Sequence, residues 1–261
     1  MIKVELLPMH IVILGSATSS GVPIIGCSCP VCTSKDARDI RTRASAYILI
    51  NGKGLLIDTS ADFRAQALAR KIMRVDAVLY THAHADHTVG IDDLRSFNYI
   101  QNARIPVYGS SETLAAIRRR FEHLFEPLQE GGGLAKVDLF PVSEPFQPFD
   151  GVTVIPIPVM HGILPIYGYR IGGFAYLTDA SFISEESYEL LHDLDLLVLG
   201  ALRETKHPTH FSFSEAIEEI EKIKPRQVLL THLSHNYLHK DLLKRFRENI
   251  KPSYDGLEVD L

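Results

Sequence analysis

The 261-residue sequence has no tryptophan and only three cysteines. No apolar run approaches the roughly 20 residues of a membrane-spanning helix, so no membrane partner is expected. The opening "MIKVELLPMHIVILG" lacks a small-residue cleavage site, and its "HIVILG" reads as a buried strand rather than a secretory signal. Basic charge is in short supply: 27 Lys and Arg against 32 Asp and Glu leave a net charge of −5. That excludes a global basic field for nucleic acid. The one basic run, "IRRR" (117–120), reads as a solvated helix face. The cysteines exclude a disulfide framework, because Cys27, Cys29 and Cys32 are odd in number and too tightly spaced in "GCSCPVC" for ordinary pairing. Clustered thiols without an export signal point to a reducing, cytoplasmic setting.

What is present is a chain of globular composition, 46% hydrophobic and 23% charged, with no low-complexity linker; residues 1–261 read as one domain. Short apolar runs recur at 10–15, 46–50, 54–58, 76–80, 105–109, 152–159, 167–173, 174–179, 195–200 and 226–232, each bounded by turn residues. Helical spacing appears over 61–73, 111–125, 184–193, 214–223 and 240–248, with Ser214 as a helix start. This mixture predicts α/β layering. "NGKG" (51–54) predicts a hairpin, and "EGGG" (130–133) the end of a helix and a loop.

Histidine is abundant, with 12 residues in tight groups. "THAHADH" offers His82, His84, Asp86 and His87. Alternate residues of an extended segment point the same way, so His82 and His84 can share one ion, while Asp86 and His87 face a second. "DAVLYTHAHADH" and "RQVLLTHLSH" both run from a buried strand into Thr-His, which would bring two halves of the chain to one place. The thiols of Cys27, Cys29 and Cys32 suit zinc, which takes four ligands in a tetrahedron and so asks for one more.

His-x-His-x-Asp-His after a buried strand resembles the metal motif of the metallo-β-lactamase-fold hydrolases. The resemblance implies a four-layer αββα sandwich of two mixed β-sheets with metals at one edge. It also implies three later ligands: His161 joining His82 and His84, Asp179 bridging, and His232 joining Asp86 and His87. Such a pair of divalent ions, Zn or Mn, lowers the pKa of a shared water and polarises a phosphoryl or carbonyl oxygen. "GVPIIGCSCPVC" together with "LTHLSH" resembles a narrower branch, the cyclic phosphodiesterases tied to carbon–phosphorus lyase. That branch implies a structural zinc held by Cys27, Cys29, Cys32 and His235, a closed site that stabilises rather than catalyses. It also implies that His210, ahead of the 214–223 helix, protonates a leaving oxygen. His210 and Asp86 are the candidate catalytic residues.

Around these, "LGSATSSGVP" (14–23) either offers amides and hydroxyls for a phosphate in its "SATSSG" portion or is plain turn chemistry. Asp92, Asp93 and Arg95 read either as support for the metals or as a helix-start charge cluster, and His207 has no assigned role. The reading is a cytoplasmic two-metal phosphodiesterase acting on a small, even cyclic, phosphodiester, with a homodimer implied by resemblance. The alternatives are a tRNA- or DNA-processing nuclease, a thioester hydrolase, and a non-catalytic binding protein related to pyrroloquinoline-quinone biosynthesis.

Overall fold

The computed structural model describes residues 8–126 and 133–261. The first sheet is built from β1 (Met9–Gly15), β2 (Ser45–Ile50), β3 (Lys53–Ile57), β4 (Ala77–Leu79), β5 (Ile105–Gly109) and β6 (Val137–Pro141). The second takes β7 (Phe146–Phe149), β8 (Val152–His161), β9 (Leu164–Ile171), β10 (Phe174–Leu177), β11 (Phe182–Ile183), β12 (Leu196–Gly200), β13 (Gln227–Thr231) and β14 (Ile250–Pro252). A last strand, β15 (Glu258–Asp260), returns to the first sheet beside β1. Strand orders are β15-β1-β2-β3-β4-β5-β6 and β11-β8-β9-β10-β12-β13-β14, with β7 on β8. Each sheet begins antiparallel and becomes parallel, from β3 in one and from β10 in the other.

Side-chain alternation explains the layers. On β12, Leu196 and Val198 join the core between the sheets, while Leu197 and Leu199 join the outer core under the Phe213–Ile223 helix. On β1, Ile11 and Ile13 point inward, and Val12 and Leu14 meet the outer layer of the first sheet. Strands covered on both faces read as unbroken apolar runs, which is why they stand out in the sequence. The result is the four-layer αββα sandwich of two mixed sheets. Among the described residues, no helix is long and apolar enough to cross a membrane.

The hairpin expected at "NGKG" is there: Ile50 pairs with Lys53 across Asn51 (φ 51°) and Gly52 (φ 71°). Two successive positive φ values are what a two-residue hairpin loop needs. Several helices differ from expectation. Ser212 rather than Ser214 caps Phe213–Ile223, because Ser212 accepts from Glu215 N while the Glu215 carboxylate reaches back to Ser212 N. That reciprocal capping box fixes the start, and left-handed Lys224 ends the helix. The 61–73 segment is helical only over Phe63–Ala69, 184–193 only over Glu185–Tyr188, and 240–248 over His239–Arg245. The 111–125 segment breaks at Phe121 into Ser111–Arg120 and Glu122–Phe125. A helix at Leu94–Gln101 replaces the charge cluster as the main feature of 90–101. The "EGGG" expectation lies largely outside the described residues.

Candidate metal centres

The carboxyl ends of β3, β4, β8, β10 and β13 meet at one edge of the sandwich. There the chain leaves each strand through a polar residue: Asp58, His82, His161, Asp179 and His232. His161 is the last residue of β8 itself rather than beyond it. Asp58, Asp179 and His232 turn out of their strands with φ of 60°, 57° and 57°, aiming their side chains back into the edge. His84, Asp86 and His87 come from the loop after β4 and the short helix Ala85–Thr88.

Ligating atoms of His82, His84 and His161 lie within 4.8 Å of one another, as do those of Asp86, His87 and His232. Asp179 stands between the two sets, its carboxylate within 4.8 Å of ligating atoms of His82 and His161 as well as of His87. Its Oδ1 is 3.1 Å from His232 Nε2 and its Oδ2 is 3.3 Å from His87 Nε2. All seven residues expected at the edge are therefore brought together. The ring nitrogens His87 Nε2 and His232 Nε2 are buried and form no hydrogen bond, despite the nearby carboxylates. Buried polar atoms left unpaired cost about 1–3 kcal/mol each, so this donor set is arranged for something other than its own members. Imidazole and carboxylate together suit borderline divalent cations.

The electrostatics agree with that reading. Burial lowers His82, His84 and His232 below the ordinary histidine value and keeps them neutral, the form that ligates. Burial opposes a charge on His87 too, but Asp179 and Asp58 outweigh it and raise His87 well above its usual value. A cation bound there would displace that proton. Burial alone would raise Asp179, yet His232 and His87 hold it well below the usual carboxylate range.

One functional residue was missed by sequence reasoning. Asp58, fully buried at the end of β3, accepts from His87 Nδ1 at 2.6 Å, Thr81 N at 2.9 Å and Thr81 Oγ1 at 2.8 Å. It fixes which nitrogen of His87 carries the proton and turns Nε2 toward the cluster. His161 has an equivalent support, donating from Nδ1 to the Thr209 carbonyl at 2.7 Å. The only signal for Asp58 was "GLLID", an apolar run ending in an acid like the others.

His210 packs against this edge, its ring 4.7 Å from both His161 and His232 and its Nδ1 3.6 Å from Asp179. Burial, with help from His232, lowers it to about 3, so it is neutral in the free site. His207 faces Thr209, 3.1 Å from its hydroxyl, and its ring lies 5.0 Å from that of His210.

The first half of the "SATSSG" loop is occupied: Ser16 gives its amide and hydroxyl to buried Asp255, Ala17 N binds Thr42 O, and Thr18 N binds Leu233 O. That half is a frame beside His232, while Ser19 and Ser20 are exposed. Asp92 meets His123 at 3.2 Å, and Asp93 immediately precedes the Leu94–Gln101 helix. Neither hydrogen-bonds to a cluster residue among the described residues.

Further along the same edge, the Sγ atoms of Cys27, Cys29 and Cys32 lie 3.4, 3.5 and 3.5 Å from His235 Nδ1. A tetrahedral zinc with ordinary Zn–S and Zn–N bonds separates sulfur from nitrogen by about 3.6 Å, so the four residues already fit one. The Cys32 amide, first among several donors, lowers Cys29 to about 6, toward the thiolate that binds metal.

With the geometry in place, comparison defines the class. The model of the beta-lactamase superfamily domain matches residues 54–233, and the chain belongs to that superfamily. Within it, the chain resembles the PhnP family. A crystal structure of a diphosphatase from that family is 40% identical, with a TM-score of 0.91 over 98% of each chain. Zn(2+)-bound PqqB from Methylobacterium extorquens shares the fold at 20% identity, with a TM-score of 0.79 over 97% of this chain and 100% of the other. Among curated proteins, an octanoyltransferase of Porphyromonas gingivalis is 43% identical over 255 residues, covering 96% of this chain but 51% of the relative. Coenzyme PQQ synthesis protein B of Methylobacterium radiotolerans is 29% identical over 175 residues, 61% of this chain and 54% of the other. The chain thus spans about half the length of the curated relatives it matches.

Proposed function

We propose that the chain is a metal-dependent phosphodiesterase acting on a small phosphodiester, with a separate structural zinc. The carrying observation is Asp179, whose carboxylate groups with His82 and His87 on one side and with His161 and His210 on the other, the ligating atoms of each group within 4.8 Å of one another. A carboxylate so placed suits a shared ligand between the His82–His84–His161 and Asp86–His87–His232 sets. When bound there, divalent ions such as Zn or Mn would acidify a water and withdraw charge from a phosphoryl oxygen. Zinc in PqqB lends support from the fold alone.

The chain's own residues supply the rest. Asp86, part-buried at the mouth, offers a carboxylate oxygen that can orient the attacking water. Asp58 and Thr209 hold His87 and His161 in place. His210 faces the same space and is assigned the proton for the leaving oxygen. Because burial keeps it neutral in the free site, the role requires that the negative charge of a bound phosphate raise it enough to carry this proton. The water gives one proton to solvent and its oxygen bonds to phosphorus, the phosphorus–oxygen bond to the leaving group breaks, and the departing oxygen takes a proton from His210, which regains one from solvent.

A second reading is cleavage of a diphosphate, favoured by the 40%-identical diphosphatase. Metal-verified protein should be tested side by side on bis-nitrophenyl phosphate, a 2′,3′-cyclic nucleotide, a nucleoside diphosphate ester, a thioester and precursor tRNA. Small diesters are expected to lead. A more than tenfold preference for the diphosphate, about 1.4 kcal/mol in the transition state, would move the assignment to that bond. The same margin for the thioester or tRNA would remove the small-diester reading.

A further inference from the structure

We infer that Arg120 is a positioning residue for the loop carrying His82, His84, Asp86 and His87. The inference rests on the metal reading above. That loop is held unevenly. His82 and His87 are buried and flanked by Thr81 and Asp58, but His84 is exposed, with its ring nitrogen 3.0 Å from His82 Nε2. Its carbonyl is fixed from within the loop, accepting from His87 N at 3.1 Å and Thr88 Oγ1 at 2.9 Å.

Arg120 supplies the outside anchor. It is the last residue of the Ser111–Arg120 helix, which is capped by Ser110 and seated in the outer layer by Leu114 and Ile117. From that fixed base its Nη1 donates to the Ala83 carbonyl at 2.6 Å and to Thr88 Oγ1 at 3.0 Å. One charged nitrogen therefore closes a bracket over both ends of the exposed turn. It grips Ala83 directly and His84 through the Thr88 hydroxyl. Charge-assisted hydrogen bonds of this kind are the stronger ones. The expected consequence is that His84 is preset for a cation rather than ordered by it. The "IRRR" arginines are exposed, as expected of a solvated face, and Arg120 makes these bonds from that face.

The test uses the intact chain, loaded with Co²⁺ so that thiolate absorption separates the cysteine site from the histidine site. Chelator competition then gives each affinity. Arg120→Ala should weaken the histidine site by about 10–100-fold, the usual effect of losing a residue that supports a ligand, while the cysteine site is unchanged. Thr88→Val, which removes the relay hydroxyl without changing volume, should weaken the same site. Arg120→Lys should keep most of the affinity, because a single nitrogen makes both contacts. Parental affinity in Arg120→Ala overturns the inference, and parental affinity with a raised KM makes Arg120 a substrate contact instead. Equal loss at both sites overturns it in favour of general unfolding. If the parent takes no ion at the histidines, the metal reading itself falls.

Discussion

Replacing Asp58 by Asn keeps the shape of the most buried support in the site and removes its charge. The geometry gives the amide no good orientation. Oδ2 accepts from both His87 Nδ1 and Thr81 Oγ1, and Oδ1 from Thr81 N. With the amide oxygen in the Oδ2 position, the NH2 group confronts the Thr81 N–H, leaving a buried donor unpaired at about 1–3 kcal/mol. Reversed, the NH2 faces His87 Nδ1, which must then give up its proton. The proton moves to Nε2, the nitrogen aimed at the cluster, and that nitrogen can no longer ligate. Either way, the histidine site should lose about 10–100-fold in metal affinity, or roughly 1.4–2.7 kcal/mol. The metal-free chain should also lose stability, because Asp58 is one of the two carboxylates that keep His87 charged in the buried edge. Chelator competition at the two sites, with thermal melts of metal-free protein, measures both quantities. An Asp58→Asn chain with parental affinity at the histidines and normal cysteine-site zinc would refute the role given to Asp58.

Two further outcomes follow from the sites. Cys27→Ser should lower zinc content and thermal stability, because Cys27–Cys32 and His235 join chain segments over 200 residues apart around a small cluster of Ala17, Val22 and Val31. Full zinc content by elemental analysis would contradict the four-ligand site. His210→Ala should slow hydrolysis of a diester with a poor leaving group by about 10²-fold or more, and of a nitrophenyl diester by less. Equal losses in kcat on both substrates would assign His210 to binding or packing.

His82, His84, Asp86 and His87 were legible as a dense motif after a buried strand, and His161, Asp179 and His232 through the family resemblance, each at or just beyond the end of a strand. Asp179 in "YLTD" and His232 in "LLTH" carry the same Thr before the functional residue as His82 in "LYTH". Asp58 follows an equally clear run, but an acid after a strand is common, and its value appears only when β3 and β4 lie side by side in parallel. Arg120 was invisible for a related reason. Its partners, Ala83 and Thr88, lie 37 and 32 residues earlier in the chain, and helical spacing reports only which face is wet. The first half of the "SATSSG" loop shows what composition cannot: serine signals groups free to bind an anion, but tertiary contacts with Asp255, Thr42 and Leu233 take those of Ser16, Ala17 and Thr18.

The left-handed backbone at Asp58, Asp179 and His232 sets the chain's interests against each other. Such a conformation costs of order 1–3 kcal/mol for most residues with a side chain, less for Asn, Asp and His, and least for Gly. Glycine at all three positions would relax the backbone and erase the site while improving the scaffold. The edge is therefore a region of frustration inside an otherwise self-consistent sandwich. Its side chains answer to a demand that folding by itself does not make.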